Sequence, residues 1–170
     1  MGMPYISASN MANPFFNLLQ SKYAKLFKII LSVAYFSALF YLVFFAKRRR
    51  GQKVRYLHIV PLRDTIRDFL KINYGVTKEI YEFYSNLLGN IVLFIPFSII
   101  AIWVFNIKSQ KKVLLLSVLF SLCIELLQYI FRVGVADIDD ILLNTLGAAI
   151  GIAIYSFLKK MTAVFFENKN

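Results

Sequence analysis

The side chain that raises the sharpest chemical question is a carboxylate inside an apolar stretch. Glu125 lies within the mostly apolar residues 113–131, and Gln128 follows three residues later, on the same face of a helix. A carboxylate at the centre of a membrane-spanning helix costs about 2.5–3.5 kcal/mol on insertion scales. We therefore expect Glu125 to face other helices or a wet cavity, as half of a structural ion pair, as a protonated acid, or as a functional group.

A second polar group opens the last apolar stretch of the chain. If a helix begins near Asp137, one stripe of that helix carries Asp137, Asp140, Asn144, Gly147 and Gly151, whereas Asp139 points elsewhere. A plainer interpretation makes Asp137 a helix N-cap, with Asp139 and Asp140 complementing the helix dipole. That interpretation does not account for Asn144.

A third group opens another apolar stretch. Asn86 and Asn90 are one helical turn apart, so their amides share a face, and Gly89 between them would permit close approach of a neighbouring helix. Pro96 predicts a kink and a carbonyl freed one turn earlier. Asparagine and proline in such places are also common packing devices, so a structural role stays open.

Other kinds of site have little support. Cys123 is the only cysteine and His58 the only histidine, which excludes an intrachain disulfide and a His/Cys metal set. The chain has no Ser/His/Asp pattern, phosphate-binding loop or dinucleotide fingerprint, and hence no recognised catalytic motif. We expect no cofactor and assign no metal site, although carboxylates and amides could hold Mg²⁺ or Ca²⁺ without a fixed number of ligands.

The elements that must position these groups are membrane helices. The chain has 170 residues, of which 59% are hydrophobic, and its mean hydropathy is +0.63, well above that of a soluble domain. We predict an all-α, polytopic membrane bundle of about four transmembrane helices plus a short interfacial amphipathic helix. The predicted segments are an N-terminal tail (1–25), a first span (26–46), a long basic connection (47–85), and spans at 87–105, 113–131 and 141–158.

The amphipathic helix is predicted within the long connection, beginning near Pro61. Apolar side chains recur there at helical spacing, opposite charged ones: Leu62, Ile66, Phe69 and Leu70 against Arg63, Asp64, Arg67 and Asp68. Such a helix would lie along the membrane surface, but a solvated helix within a loop is an equally good interpretation.

Chain direction brings the polar groups together. Consecutive spans are antiparallel, so the start of the second span, the end of the third and the start of the fourth lie at one membrane face. The candidate polar site comprises Asn86, Asn90, Glu125, Gln128, Asp137, Asp140 and Asn144. Candidate contacts to lipid headgroups are His58, Arg63, Arg67 and Arg132.

The charge balance favours membrane lipids over nucleic acid as partners. The formal net charge is +11, from 20 Lys and Arg against 9 Asp and Glu, and the basic residues flank apolar runs. On short loops, Lys108–Lys112 and Lys159–Lys160 predict that both termini are cytoplasmic and the acidic cluster extracytoplasmic, whereas Lys47–Arg50 favours the opposite. The oligomeric state is left open.

At these motifs the chain resembles the VanZ-like family. The matching stretches are His58–Leu62 with Thr65 and Ile66, Asn86–Phe97, Glu125–Gln128 and Asp137–Gly151, so the resemblance covers residues 56–158. Two positions depart from the family pattern: members commonly have Asn where His58 stands and an aromatic residue where Leu62 stands. Many also have an Arg where this chain has Gly134, and Arg132 stands two positions earlier. The resemblance implies a bacterial cytoplasmic membrane protein connected with teicoplanin-type glycopeptide resistance, and it supplies no reaction.

Three functions remain open on these grounds. The first is a non-enzymatic membrane factor that binds an envelope lipid or a lipid-linked cell-wall precursor. The second is a membrane enzyme that acts on a lipid-linked substrate through Glu125 or Asp140. The third is a small proton-coupled transport unit that uses Glu125.

Overall fold

The computed structural model describes residues 22–45 and 57–167, and helices dominate that part of the chain. The elements in chain order are α1 (Lys22–Phe44), β1 (Leu57–His58), α2 (Arg63–Lys71), α3 (Thr77–Trp103), α4 (Gln110–Phe131), β2 (Ala136–Asp137) and α5 (Ile138–Glu167). The predicted tail up to residue 21 and the basic cluster Lys47–Arg50 lie outside the described residues.

Four of the five described helices are long and apolar enough to cross a membrane: α1, α3, α4 and α5. The predicted fold class is therefore confirmed, with α2 as the additional short helix. The helices extend past the apolar runs that predicted them. The helix of the second span begins at Thr77, within the predicted connection, and α5 continues to Glu167. At about 1.5 Å per residue, α3 and α5 both exceed the roughly 30 Å of a hydrocarbon core.

Helices α3 and α5 run parallel and make the most extensive contact in the bundle. Two glycines of α5 allow their backbones to touch: a Cβ on Gly147 would collide with the Ile91 carbonyl oxygen, and one on Gly151 with that of Ile95. Gly89, in contrast, has open space where its Cβ would be. The expectation that Gly89 serves close helix approach is wrong, because that glycine does not face α5.

Helix α1 packs antiparallel to α3 at the margin of the bundle. The Lys28 ammonium donates to the Trp103 carbonyl at 3.2 Å, and the Tyr35 hydroxyl donates to the Leu93 carbonyl at 2.8 Å. Leu93 lies three residues before Pro96, in the helical turn that has one hydrogen bond fewer because proline has no backbone N–H. An apolar cluster joins α1, α3 and α4; its buried members are Leu39, Val43, Phe94, Phe97 and Ile124.

The connection between α1 and α3 returns to the bundle through a short parallel pairing that the sequence did not predict. In this two-stranded sheet Leu57 pairs with Ala136 and His58 with Asp137. The pairing fixes β1 against the start of α5 and leaves α2 next to the beginning of α3, where the Phe69 and Phe83 rings lie 5.8 Å apart. One end of the bundle is thereby covered by polar loop and helix termini.

Candidate functional site

A buried polar contact at this end of the bundle joins α3 and α5. The Asn90 amide donates a hydrogen bond to the Asp140 carboxylate, and both side chains are buried. Both residues were predicted from their helical registers, and one turn further along α5 the Asn144 amide donates to the Ser121 hydroxyl of α4 at 2.7 Å. The polar stripe of α5 therefore contacts α3 through Asp140 and, one turn further along, α4 through Asn144.

Glu125 contacts the backbone just ahead of α5. Its carboxylate, 4% exposed, accepts the Asp137 backbone N–H at 3.0 Å. Because a hydrogen bond from an N–H group compensates a buried carboxylate in part, Glu125 has a structural task at the start of α5. It secures the short connection between α4 and α5, which contains β2.

Asp137 links the start of α5 to the connection that precedes α2. One carboxylate oxygen accepts the Asp139 N–H at 2.9 Å, in the manner of an N-cap, and the other lies 3.3 Å from His58 Nδ1. Burial raises the pKa of the Asp137 carboxyl, and the neighbouring Asp139 carboxylate acts in the same direction. The Asp139 N–H and His58 oppose that shift without cancelling it.

Asp139 anchors the start of α2. Its position in the helical repeat predicts that it points away from the polar stripe of α5. Its carboxylate accepts the Leu62 N–H, the Thr65 N–H at 3.3 Å and the Thr65 hydroxyl at 2.6 Å. Leu62 stands at the N-cap position of α2 with φ 61° and supplies no side-chain cap, so the carboxylate of Asp139 replaces a local capping residue. The sequence around Leu62 does not predict this cap, because Asp139 lies 77 residues further along the chain.

Above these contacts an open cleft of about 630 Å³ separates α2 from the beginnings of α3 and α5. The chain has nine Asp and Glu residues. Six of them line the cleft: Asp68, Glu79, Glu82, Asp137, Asp139 and Asp140. Of the described basic residues, only His58 and Lys71 stand in its wall. Its apolar parts are Ile72, Phe83, Leu87, Val135 and Leu143. In a strongly basic chain, this concentration of carboxylates favours ligand groups that donate hydrogen bonds or carry positive charge.

The predicted site residues occupy different layers of this end. His58, Asn86, Asp137 and Asp140 line the cleft, whereas Asn90, Glu125 and Asn144 are buried beneath it. Arg63 and Arg67 lie on the exposed surface of α2, where Arg67 contacts Asp68, and Arg132 is exposed at the end of α4. None of these three arginines lines the cleft. Within residues 22–45 and 57–167, no three His, Cys, Asp or Glu side chains are grouped to hold a metal ion.

Gln128 faces a different neighbour from the rest of the predicted set. Its amide nitrogen donates to the Val43 carbonyl of α1 at 3.2 Å, so the side chain joins α4 to α1 and does not reach the cleft. Gly134 lies against the same amide, since a Cβ there would be 3.0 Å from Gln128 Oε1. A larger residue at position 134 would have to displace Gln128.

Comparison with known proteins decides the family. A sequence model of the VanZ/LLP1 family matches residues 27–159, which cover most of each of the four apolar helices. The chain belongs to the VanZ/LLP1 family. Among curated relatives, Protein VanZ of Enterococcus faecium is 29% identical over 77 residues, which cover 45% of this chain and 48% of that protein. This chain thus spans about half the length of the curated relative that it matches. No solved structure matches it.

Membership of the VanZ/LLP1 family extends the likeness beyond the motifs at residues 56–158. The matched region begins at residue 27, so α1 belongs to the family unit. This agrees with the contact between Val43 and Gln128, which ties α1 to the polar end of the bundle.

Proposed function

We propose that this VanZ-like membrane protein binds the polar head of an envelope lipid or lipid-linked cell-wall precursor in its cleft. Through that binding it would contribute to teicoplanin-type glycopeptide resistance or to envelope homeostasis. The observation that carries the proposal is the cleft of about 630 Å³ at one end of four apolar helices. A ligand there can place its head in the cleft while its chain stays in the bilayer.

The wall of the cleft favours particular parts of such a head. Carboxylates accept hydrogen bonds from sugar hydroxyls, amide N–H groups and ammonium groups, and they repel phosphate. The phosphate of a lipid-linked head would therefore lie at the rim, where α2 presents Arg63, Arg67 and Lys71. Exposed Ile66 and Leu70 on α2 suit contact with the acyl region beside that rim.

The charges at the two ends of the bundle support an extracytoplasmic cleft. The end away from the cleft carries described lysines at positions 25, 28, 108, 111, 112, 159 and 160. The short α3–α4 turn therefore has a lysine cluster, whereas the α4–α5 connection has Arg132 alone. Because the positive-inside rule is read best on short loops, we place the lysine end in the cytoplasm, against the opposite signal of Lys47–Arg50. The cleft would then meet envelope precursors on the outer surface.

The test is binding of a purified lipid-linked cell-wall precursor to the full chain in detergent, measured by native mass spectrometry. Asn86→Phe places a ring in the cleft wall, so we expect it to abolish binding and to restore teicoplanin susceptibility in a host that expresses the protein. Leu88→Phe is the matched control, because Leu88 is on the same helix, 52% exposed and outside the cleft. Equal binding by both variants at equal expression would contradict the proposal.

A membrane enzyme is the second candidate, favoured by the position of Asp140 at the junction between the buried layer and the cleft wall. From there its carboxylate could take a proton from a bound group. Turnover of the lipid-linked substrate that Asp140→Asn removes, with binding retained, would favour the enzyme. Binding without turnover in the unmodified protein would favour the binding factor.

A further inference from the structure

Two apolar grooves lie in the half of the bundle away from the cleft. One, of about 520 Å³, lies between α1 and the two residues that follow α3, Val104 and Phe105, and includes Ile29 in its wall. The other, of about 620 Å³, lies among α1, α3 and α4 and includes Leu116 and Leu119. Phe36 and Phe105 border both grooves, so together the two grooves flank α1.

The grooves exist because α1 packs loosely. Within its apolar window 17% of α1 is buried, against 28–33% for the other three candidate spans. In a bilayer, a lateral gap lined by Phe and Leu side chains is at membrane depth, where no water is present to fill it. Lipid acyl chains are the available apolar material of matching shape.

Each groove wall continues into a lysine at the same membrane face. Lys25 stands four residues before Ile29 on α1, and Lys112 stands four residues before Leu116 on α4, so each lysine lies on the groove-lining face of its own helix. Both lysines are exposed. Among the described acidic residues, only Glu167 at the end of α5 lies on this side of the bundle.

We propose that the grooves and these lysines form a binding site for an anionic phospholipid of the leaflet at the lysine end. One acyl chain lies beside Phe36, and the phosphate group lies between Lys25 and Lys112. Charge selects the lipid, because an anionic headgroup is attracted to the lysine pair, whereas a zwitterionic headgroup carries no net charge. The site is separate from the cleft and does not depend on what the cleft binds.

The single tryptophan of the chain reports on this site. Trp103 directly precedes Val104 and Phe105, which line the first groove, and Lys28 lies 4.8 Å above its ring. The full chain is reconstituted in phosphatidylcholine vesicles that contain a fixed fraction of brominated phosphatidylglycerol or brominated phosphatidylcholine. We expect brominated phosphatidylglycerol to associate about fivefold more strongly, measured by quenching of Trp103 fluorescence.

Charge variants test the headgroup contacts. Lys25→Ala combined with Lys112→Ala should abolish the preference for phosphatidylglycerol. Lys159→Ala combined with Lys160→Ala removes two lysines at the same face from α5, whose residues line neither groove, and should keep the preference. Equal quenching by the two lipids in the unmodified protein, or a preference that survives loss of Lys25 and Lys112, would overturn the proposal.

Apolar variants test the groove itself. Leu116→Phe enlarges a groove-lining side chain, and Leu115→Phe makes the same change at an exposed neighbour outside both grooves. We expect the first variant to lower quenching by brominated phosphatidylglycerol and the second to leave it unchanged. Weak quenching by both lipids in the unmodified protein would also overturn the proposal, because no acyl chain would then lie in the grooves.

Discussion

At the scale of single residues, the polar end is held together by carboxylates that bind backbone N–H groups and amides. Glu125 accepts the Asp137 N–H, Asp140 accepts from Asn90, and Asp139 accepts from Leu62 and Thr65. These contacts compensate in part for the burial of the carboxylates. Asp137 differs from the others in contacting the only histidine.

The buried pair between Asn90 and Asp140 should contribute measurably to stability. We predict that Asp140→Ala lowers the free energy of unfolding by about 1–3 kcal/mol, because it leaves the Asn90 amide buried without this acceptor. Asp68→Ala, which removes an exposed carboxylate beside Arg67, should cost less than about 1 kcal/mol. Denaturant unfolding in mixed micelles measures both, and equal losses would contradict the assigned role of the buried pair.

Asp137 predicts a stability that depends on pH. Because the native pKa is raised, the unfolded chain loses its proton first as the pH increases. This group's contribution is therefore most favourable below the ordinary Asp pKa of about 3.9 and declines until the pH passes the native value. Asp137→Asn should flatten that part of the profile of melting temperature against pH, and identical profiles for the two proteins would contradict the prediction.

At the scale of elements, the sequence predicted the four spans, the position of α2 and the gathering of α3, α4 and α5 termini at one face. These features follow from hydropathy, helical period and chain direction. The β1–β2 pairing, the capping of α2 by Asp139 and the turn of Gln128 toward Val43 were not predictable in this way. Each joins segments distant in sequence, and helical phase describes only neighbours along one helix.

The contact between α3 and α5 depends on glycines that touch a backbone. We predict that Gly147→Ala lowers stability by about 1–3 kcal/mol, because its methyl group would meet the Ile91 carbonyl oxygen and push the helices apart. Gly89→Ala is the matched control: it has open space and should be neutral or stabilise the protein by up to about 1 kcal/mol. Thermal unfolding in detergent distinguishes the two, and similar melting temperatures would contradict the packing.

The attachment of α2 depends on Asp139. We predict that Asp139→Ala speeds amide hydrogen exchange across Arg63–Lys71 by at least about tenfold, because three hydrogen bonds to the start of α2 are lost. Exchange in α3 and α4 should change little. Glu79→Ala alters another carboxylate of the cleft without touching α2's first turn, and it should leave exchange in α2 unchanged.

At the scale of the whole molecule, charge divides the bundle into an acidic cleft end and a lysine end. If the lysine end is cytoplasmic as proposed, an impermeant maleimide applied to intact cells should label Lys78→Cys and spare Lys111→Cys, both in a Cys123→Ser background. Both lysines are exposed and lie at opposite ends of the bundle. Labelling of the position-111 variant alone would reverse the orientation and place the cleft in the cytoplasm.

The pairing of β1 with β2 also determines when the cleft can form during synthesis. His58 and Asp137 are 79 residues apart in the chain. The chain therefore has to insert α3 and α4 and deliver the first turn of α5 before β1 can pair with β2 and before Asp139 can cap α2. A nascent protein with three inserted spans has neither the cap on α2 nor the floor of the cleft. Translation arrest or truncation ahead of α5 would thus leave a membrane-anchored chain that cannot take up ligand at this end.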